Sequence, residues 1–232
     1  YLDGGERTEV LRLGQHPDTT FAEFEDIDTA WIGTDVLEKT LDRGSIERVL
    51  VHFLDRSMWR SLKDRTGLSQ ILIWVHGAEV QPWWRRKYNY RTEAELEAAK
   101  SSSEDRLALW REVFLNLPSN FHFVFVSEYL AEEVFEDIGL RLPKNQYSVI
   151  HNPIDTAIFA FEPKPADQSS RILTIRPYAS AKYANDLSVA AILELSQRPG
   201  FERLQFRVIG DGPLFDSTLE PLRGMSNVQI DQ

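Results

Sequence analysis

Ile71-Leu72-Ile73-Trp74-Val75 is an unbroken apolar run that stops on His76-Gly77. It is too short for a typical helix and rich in β-formers, so it reads as a strand covered on both faces. Phe121-His122-Phe123-Val124-Phe125-Val126 and Arg48-Val49-Leu50-Val51-His52-Phe53 have the same character. The stretches around and between them read as helices. One spans 36–42, capped by Thr34-Asp35 and ended at Gly44; a second spans 57–64 and closes at Gly67. A long one over 93–117 is opened by Thr92 and stopped before Pro118. Ser127 begins a helix whose Leu130, Val134, Phe135 and Ile138 share one face, and Gly139 ends it. Tyr147-Ser148-Val149-Ile150 is a short strand leading into His151-Asn152-Pro153. Strands alternating with helices at this spacing predict parallel sheets flanked by helices.

The polar, proline-rich stretch Glu162-Pro163-Lys164-Pro165-Ala166-Asp167-Gln168-Ser169-Ser170 reads as a linker. Beyond it the alternation restarts, with strands over 171–175, 204–209 and 228–230 and helices over 186–197 and 213–222. The expected organisation is therefore an α/β domain over 1–158, a linker over 159–170 and a second α/β unit over 171–232. The first 28 residues are polar with little periodicity. Tyr1 is not an initiating Met, so the sequence reads as the middle of a longer product.

Composition narrows the function. The 232 residues are 42% hydrophobic, enough for a buried core. With no Cys there is no disulfide framework, thiolate zinc site or cysteine nucleophile. No apolar run approaches membrane-spanning length, and no signal-peptide pattern opens the chain. The expectation is a soluble, cytoplasmic protein, at most peripheral at the inner face of the cell membrane. The net charge is −10, and the first 28 residues hold 8 acidic and 2 basic side chains. Such a field repels polyphosphate, so nucleic acid is not an expected partner. Arg85-Arg86-Lys87 after Trp83-Trp84 is the exception, readable as a solvated turn or as a patch for an anionic substrate or lipid headgroup.

In open parallel sheets, ligands collect beyond the carboxyl ends of the strands, which directs attention to the segments following them. His76-Gly77-Ala78-Glu79 follows one strand. Its imidazole can meet a ligand, Gly77 permits close backbone approach, and Glu79 can accept from sugar hydroxyls. His16, His52, His122 and His151 are less well placed, and His52 and His122 fall within strands. Arg176 and Lys182 follow the strand at 171–175, and a guanidinium with an ammonium on one loop can grip a diphosphate. Gly210-Asp211-Gly212-Pro213 follows another strand and reads as a turn into a helix with Pro in its first position, a candidate anion site. Phe215 breaks the dinucleotide fingerprint. Asp26-Ile27-Asp28 matches a metal-binding pair but lies in a diffusely acidic stretch. The phosphate-loop, zincin and serine-hydrolase motifs are absent.

In their ordered succession over about residues 120–232 these segments resemble the retaining glycosyltransferases of the GT-B architecture, specifically glycosyltransferase family 4. Val149-Ile150-His151-Asn152-Pro153-Ile154-Asp155 and Phe159 are similar to the family's V-I-x-N-G-V-D-x-x-x-F. Arg176 and Lys182 are similar to its G-R-x…K-G, and Gly210-Asp211-Gly212-Pro213 to its G-D-G-P. His76-Gly77 looks like the family's H-G segment. The resemblance implies two Rossmann-like domains with parallel sheets flanked by helices. It implies sugar transfer, with retention, from a nucleotide-sugar donor (UDP-, GDP- or similar) to a glycan or lipid-linked acceptor, in polysaccharide, glycolipid or cell-envelope glycan synthesis. Arg176 and Lys182 would bind the diphosphate and stabilise the departing nucleotide. Gly210, Asp211 and Gly212 would shape the donor site, His76 would lie beside the transferred sugar, and Gly77 and Glu79 on the acceptor side. No metal or cofactor is implied.

Pro153, Ile175 and Tyr183 stand where the family has Gly, a bulkier arrangement around the phosphates. The family's E-x(7)-E segment is not found before Gln232, and the first strand with its glycine-rich loop is not found at the start. The resemblance thus implies that both domains are incomplete, and the expectation is a fragment inactive on its own. A non-catalytic nucleotide-, sugar- or protein-binding module on the same scaffold, and a sugar-nucleotide epimerase, stay open as alternatives.

Overall fold

A computed structural model describes residues 8–14, 18–24 and 27–232. The chain divides into two compact units, residues 1–85 with 98–152, and residues 86–97 with 153–232.

The first unit is built on a four-stranded parallel sheet of β4 (Arg48–His52), β5 (Gln70–Val75), β6 (Phe121–Phe125) and β7 (Tyr147–Val149), in that spatial order. The burial of β5 alternates: Ile71, Ile73 and Val75 are sealed, whereas Leu72 and Trp74 stay half-buried. The expectation of a strand covered on both faces therefore holds for one face only. The sealed face joins Trp59, Trp110, Phe123, Phe125, Phe135 and Tyr147 in a continuous apolar core.

Short signals in the sequence set the helix ends. Asp55 caps α2 (Arg56–Leu62) by accepting from the Met58 N–H at 2.8 Å. Thr92 and Glu95 form a reciprocal capping box at the start of α3 (Glu93–Leu115). Ser127 accepts from the Leu130 N–H to open α4 (Glu128–Ile138), which Gly139 ends at φ 73°. Gly44, at φ 69°, lies just past α1 (Thr34–Asp42) as expected; Gly33, not Thr34, is the cap residue. Gly67 is not in the left-handed region and does not close α2.

Part of the amino-terminal stretch that lacks periodicity forms a further sheet. β3 (Ile27–Ile32) pairs parallel with β1 (Val10–Leu13) and antiparallel with β2 (Thr20–Phe24). Phe21 and Phe24 on β2 are exposed, so the alternation that would mark a half-buried strand is missing. Asp26 and His16 lie outside the described residues, and the Asp-x-Asp pair is not placed.

The second unit carries a three-stranded parallel sheet, with β9 (Gln205–Ile209) between β8 (Arg171–Ile175) and β10 (Val228–Asp231). Tyr178, Val189, Ile192, Phe206, Val208, Phe215, Leu219 and Leu222 form its core. They come from the sheet, α5 (Asn185–Ser196), α6 (Phe215–Leu219) and the 3-10 turn Glu220–Leu222. The helix expected over 213–222 is thus shorter than its pattern. Pro213 lies in the preceding turn, and an α-helix of five residues offers no N-terminal anion site. Among the described residues, no helix is long and apolar enough to cross a membrane.

Candidate functional site

In the first unit the chain leaves β5 at His76 and turns through Gly77, whose φ of 103° is open to glycine but strained for other residues. Glu79 folds back so that its Oε1 accepts the His76 N–H at 2.7 Å. The buried Trp110 indole donates to the Glu79 carbonyl at 3.0 Å, anchoring the turn to α3. Glu79 Oε2 is buried without a hydrogen-bond partner among the described residues, so this carboxylate both braces the loop and retains an unused acceptor.

His76 meets a second histidine. His52 ends β4 in register with Trp74, two residues before His76, so both histidines project from adjacent strand ends. Their Nδ1 and Nε2 atoms, respectively, lie 2.8 Å apart. Trp74 stacks on His52 at 6.0 Å and Phe53 on His76 at 4.6 Å, whereas the two imidazoles, with centroids 5.1 Å apart, meet edge to edge through that nitrogen contact. Phe53 adopts φ 57°, a conformation rare for a bulky residue and costly by about 1–3 kcal/mol. Burial, and secondarily the neighbouring His76, hold the His52 imidazole below its usual range. His52 falls within a strand as expected, but as the last residue of that strand it reaches His76. A cross-strand register, absent from a linear sequence, is the signal that finds it. His122 instead pairs with the Ser148 hydroxyl at 2.8 Å, and His151 with the Val126 carbonyl at 3.1 Å.

In the second unit the chain continues beyond β8 along the β9–α6 connection. The Arg176 N–H donates to the Ile209 carbonyl at 3.1 Å, Tyr178 N–H to Asp211 carbonyl at 2.8 Å, and Leu214 N–H to Tyr178 carbonyl at 3.1 Å. The glycines allow this approach. A Cβ on Gly210 would lie 2.2 Å from the Arg176 carbonyl, and one on Gly212 would lie 2.6 Å from the Tyr178 carbonyl carbon. Asn185, 6% exposed, donates to the Pro177 carbonyl at 2.9 Å and fixes the loop from the start of α5.

Arg176 and Lys182 both belong to this β8–α5 loop and both are exposed. Neither forms an ion pair among the described residues; Lys182 Nζ sits 4.8 Å from the Tyr183 ring centroid, a cation–π placement. Tyr183, the bulky departure from the family pattern, therefore supports the lysine side chain. Asp211 is less free. Its Oδ1 accepts from Gln232 at 3.0 Å and from the Gly212 N–H at 2.6 Å, which hold the carboxyl below its usual range. Asp231 is lowered first by Arg207 and then by Gln229.

Both depressed carboxyls contribute stability above the ordinary Asp range, about pH 4, and that contribution is lost as pH falls through their folded-state values. The second unit should therefore unfold at lower urea concentration at pH 3 than at pH 6. In Asp211→Asn the acid-sensitive part of that shift should shrink, and an unchanged shift would remove Asp211 as its source.

The basic cluster of the first half is not uniformly available. Arg85 donates to Glu133 at 2.9 Å, Glu136 at 2.9 Å and Asp137 at 2.6 Å, all on α4. Three carboxylates around one guanidinium leave Arg85 no charge for a headgroup, which removes it from the expected membrane patch. Arg85 also lines a groove of about 490 Å3 with Tyr129, Glu132, Glu133 and Arg141. That groove runs along α4, not at the strand ends, and belongs to this ion-pair network.

No protein-family model matches the chain, and no curated protein matches it in sequence. Solved structures do. A crystal structure of TarM aligns with TM-score 0.55 at 12% identity over 85% of this chain. The architecture is GT-B. The pneumococcal O-GlcNAc transferase GtfA in complex with UDP and GlcNAc aligns with TM-score 0.48 at 12% identity over 91% of the chain. A mutant of S. aureus TarM in complex with fondaparinux, alpha-GlcNAc-glycerol and UDP gives 0.43 at 13% identity over 72%. The chain spans 35%, 46% and 29% of those three chains respectively, so the GT-B likeness concerns a part of each.

Proposed function

We propose that this GT-B chain belongs to a glycosyltransferase that moves a sugar from a nucleotide-sugar donor to an acceptor hydroxyl with retention, as in family 4. The supporting observation is the β8–α5 loop. It presents Arg176 and Lys182, both exposed and neither ion-paired among the described residues, beside a turn whose Gly210 and Gly212 let its backbone pack directly on the Arg176–Ala179 backbone. Arg176 would chelate two diphosphate oxygens and Lys182 would add a point charge, neutralising the negative charge that develops as the sugar C1–oxygen bond breaks. The acceptor oxygen bonds to C1 on the same face, and its proton passes to the departing phosphate oxygen. His76 and Glu79 supply polar groups for sugar hydroxyls. A glycan or lipid-linked acceptor, in polysaccharide, glycolipid or cell-envelope synthesis, is part of this reading.

The test is calorimetric titration of the chain with UDP, GDP and their sugar conjugates. Saturable binding is expected, weakened roughly 10- to 100-fold in Lys182→Ala by loss of one charge-assisted contact. No saturable binding, or binding indifferent to Lys182→Ala, would overturn the proposal. Binding without donor hydrolysis or transfer in the full-length protein would favour a non-catalytic module.

A further inference from the structure

We infer that His52 is a positioning residue which fixes the His76 ring as its Nε2–H tautomer, reserving the His76 Nδ1 lone pair to accept a hydrogen bond from a hydroxyl of a bound carbohydrate. The carbohydrate part rests on the proposed glycosyl transfer; the tautomer part does not.

The argument begins with the 2.8 Å separation of His52 Nδ1 and His76 Nε2. Two neutral imidazoles in this geometry share one hydrogen, and two arrangements satisfy it. If His52 donates, both rings must adopt the Nδ1–H tautomer, intrinsically the less stable form of a histidine side chain. If His76 donates, both rings take the favoured Nε2–H form. The second arrangement therefore prevails in the absence of an opposing contact, and among the described residues neither remaining ring nitrogen has a hydrogen-bond partner. Depression of the His52 pKa by burial and by His76 keeps its ring neutral and its Nδ1 available as an acceptor.

Ring orientation is restrained as well. The His76 ring is held at its edge by His52 and on one face by Phe53, and its backbone N–H is held by Glu79. Its Nε2 faces His52, so Nδ1 is the nitrogen left for a ligand, and an unprotonated Nδ1 can only accept. The matching ligand group is a hydroxyl donor, such as those of a sugar, rather than a phosphate oxygen. Phe53, 54% exposed, occupies the outer end of the stack, where its left-handed backbone turns the ring over His76.

The experiment is a long-range proton–nitrogen correlation spectrum of the 15N-labelled chain near pH 7.5, with His76 assigned by its disappearance in His76→Gln. The expected pattern is a pyrrole-type shift at Nε2 and a pyridine-type shift at Nδ1, for His52 and His76 alike. His52→Phe, which preserves a stacking ring, should shift His76 toward an averaged tautomer mixture. His52→Asn, which restores an acceptor near the Nδ1 position, should return it to Nε2–H. A protonated Nδ1 on neutral His76 in the unaltered chain, or tautomer populations indifferent to His52→Phe, would overturn the inference. In the full-length protein, His52→Phe should lower kcat for sugar transfer roughly tenfold, by analogy with the loss when the hydrogen-bond partner of a metal-ligating histidine is removed, with rescue by His52→Asn. An unchanged kcat alongside an altered tautomer would sink the carbohydrate part alone. The tautomer measurement uses no donor and the donor titration uses no His52 variant, so failure of one is distinguishable from failure of the other.

Discussion

Trp110→Ala should destabilise the first unit by about 3–5 kcal/mol, the range for removing a large buried aromatic side chain. Trp110 is fully buried on α3, with ring contacts at 6.1 Å to Phe114 and 5.9 Å to Phe123. The truncation would open a cavity between α3 and β6, where aromatic packing leaves little room for collapse. It would also orphan the Glu79 carbonyl, which accepts from the indole at 3.0 Å. Trp110→Phe separates these effects, because it retains most of the ring volume but not the donor, and should cost about 1–2 kcal/mol. Hydrogen exchange of the β5 and β6 amides reports this unit without assuming that both units unfold together. A loss below about 1.5 kcal/mol for the alanine variant would show that α3 is not anchored through this residue. In both variants the His76 amide should exchange faster, since the turn that shields it depends on the Glu79 backbone.

The α/β alternation was legible because its signals are local. Continuous apolar runs mark β5 and β6, Ser127 and Gly139 bracket α4, and Arg171–Ile175 matches β8 end for end. What the sequence concealed depends on partners distant along the chain. The β1–β3–β2 sheet lies in a polar segment because β2 is exposed throughout, so binary patterning has no buried face to record. Helix α6 ends early for a local reason instead: Pro221 has no N–H to continue the α-helical ladder, and Glu220–Leu222 tightens into a 3-10 turn.

The candidate site divides along the same line. His76, Arg176 and Lys182 could be singled out because each follows a recognisable strand, and the strand-end rule needs only local information. His52 needed the β4–β5 register, which sets it opposite Trp74 and thereby beside His76. Arg85 looked available for an anionic surface because its three carboxylate partners lie about fifty residues away, on α4. A charge run read along the chain cannot distinguish a solvated guanidinium from one enclosed by acids. That distinction matters energetically, because Asp137 is 5% exposed and would be left as an uncompensated, nearly buried charge without Arg85.

Gly210→Ala should destabilise the second unit by about 3 kcal/mol or more, at the upper end of overpacking penalties, because the added methyl group meets backbone. Its Cβ would stand 2.2 Å from the Arg176 carbonyl oxygen and 2.7 Å from two Tyr178 ring carbons. The ring could rotate; the carbonyl could move only by drawing the β8 exit away from β9, lengthening the Arg176 N–H to Ile209 bond. Gly212→Ala adds a φ of +137° to its own backbone collision, and the two glycines contact the same loop, so their costs should not add. Gly224→Ala is the control: it too has positive φ, +88°, but its Cβ would meet nothing within 4 Å. It should therefore cost only the local backbone strain, about 1–2 kcal/mol. Tyr178 gives an independent readout, since burial holds its phenol above the usual range and a displaced loop should let it ionise at lower pH. If Gly210→Ala and Gly224→Ala cost the same and the Tyr178 titration does not move, the loop carrying Arg176 and Lys182 is not held by this glycine turn. The turn would then have no role in presenting the two cations.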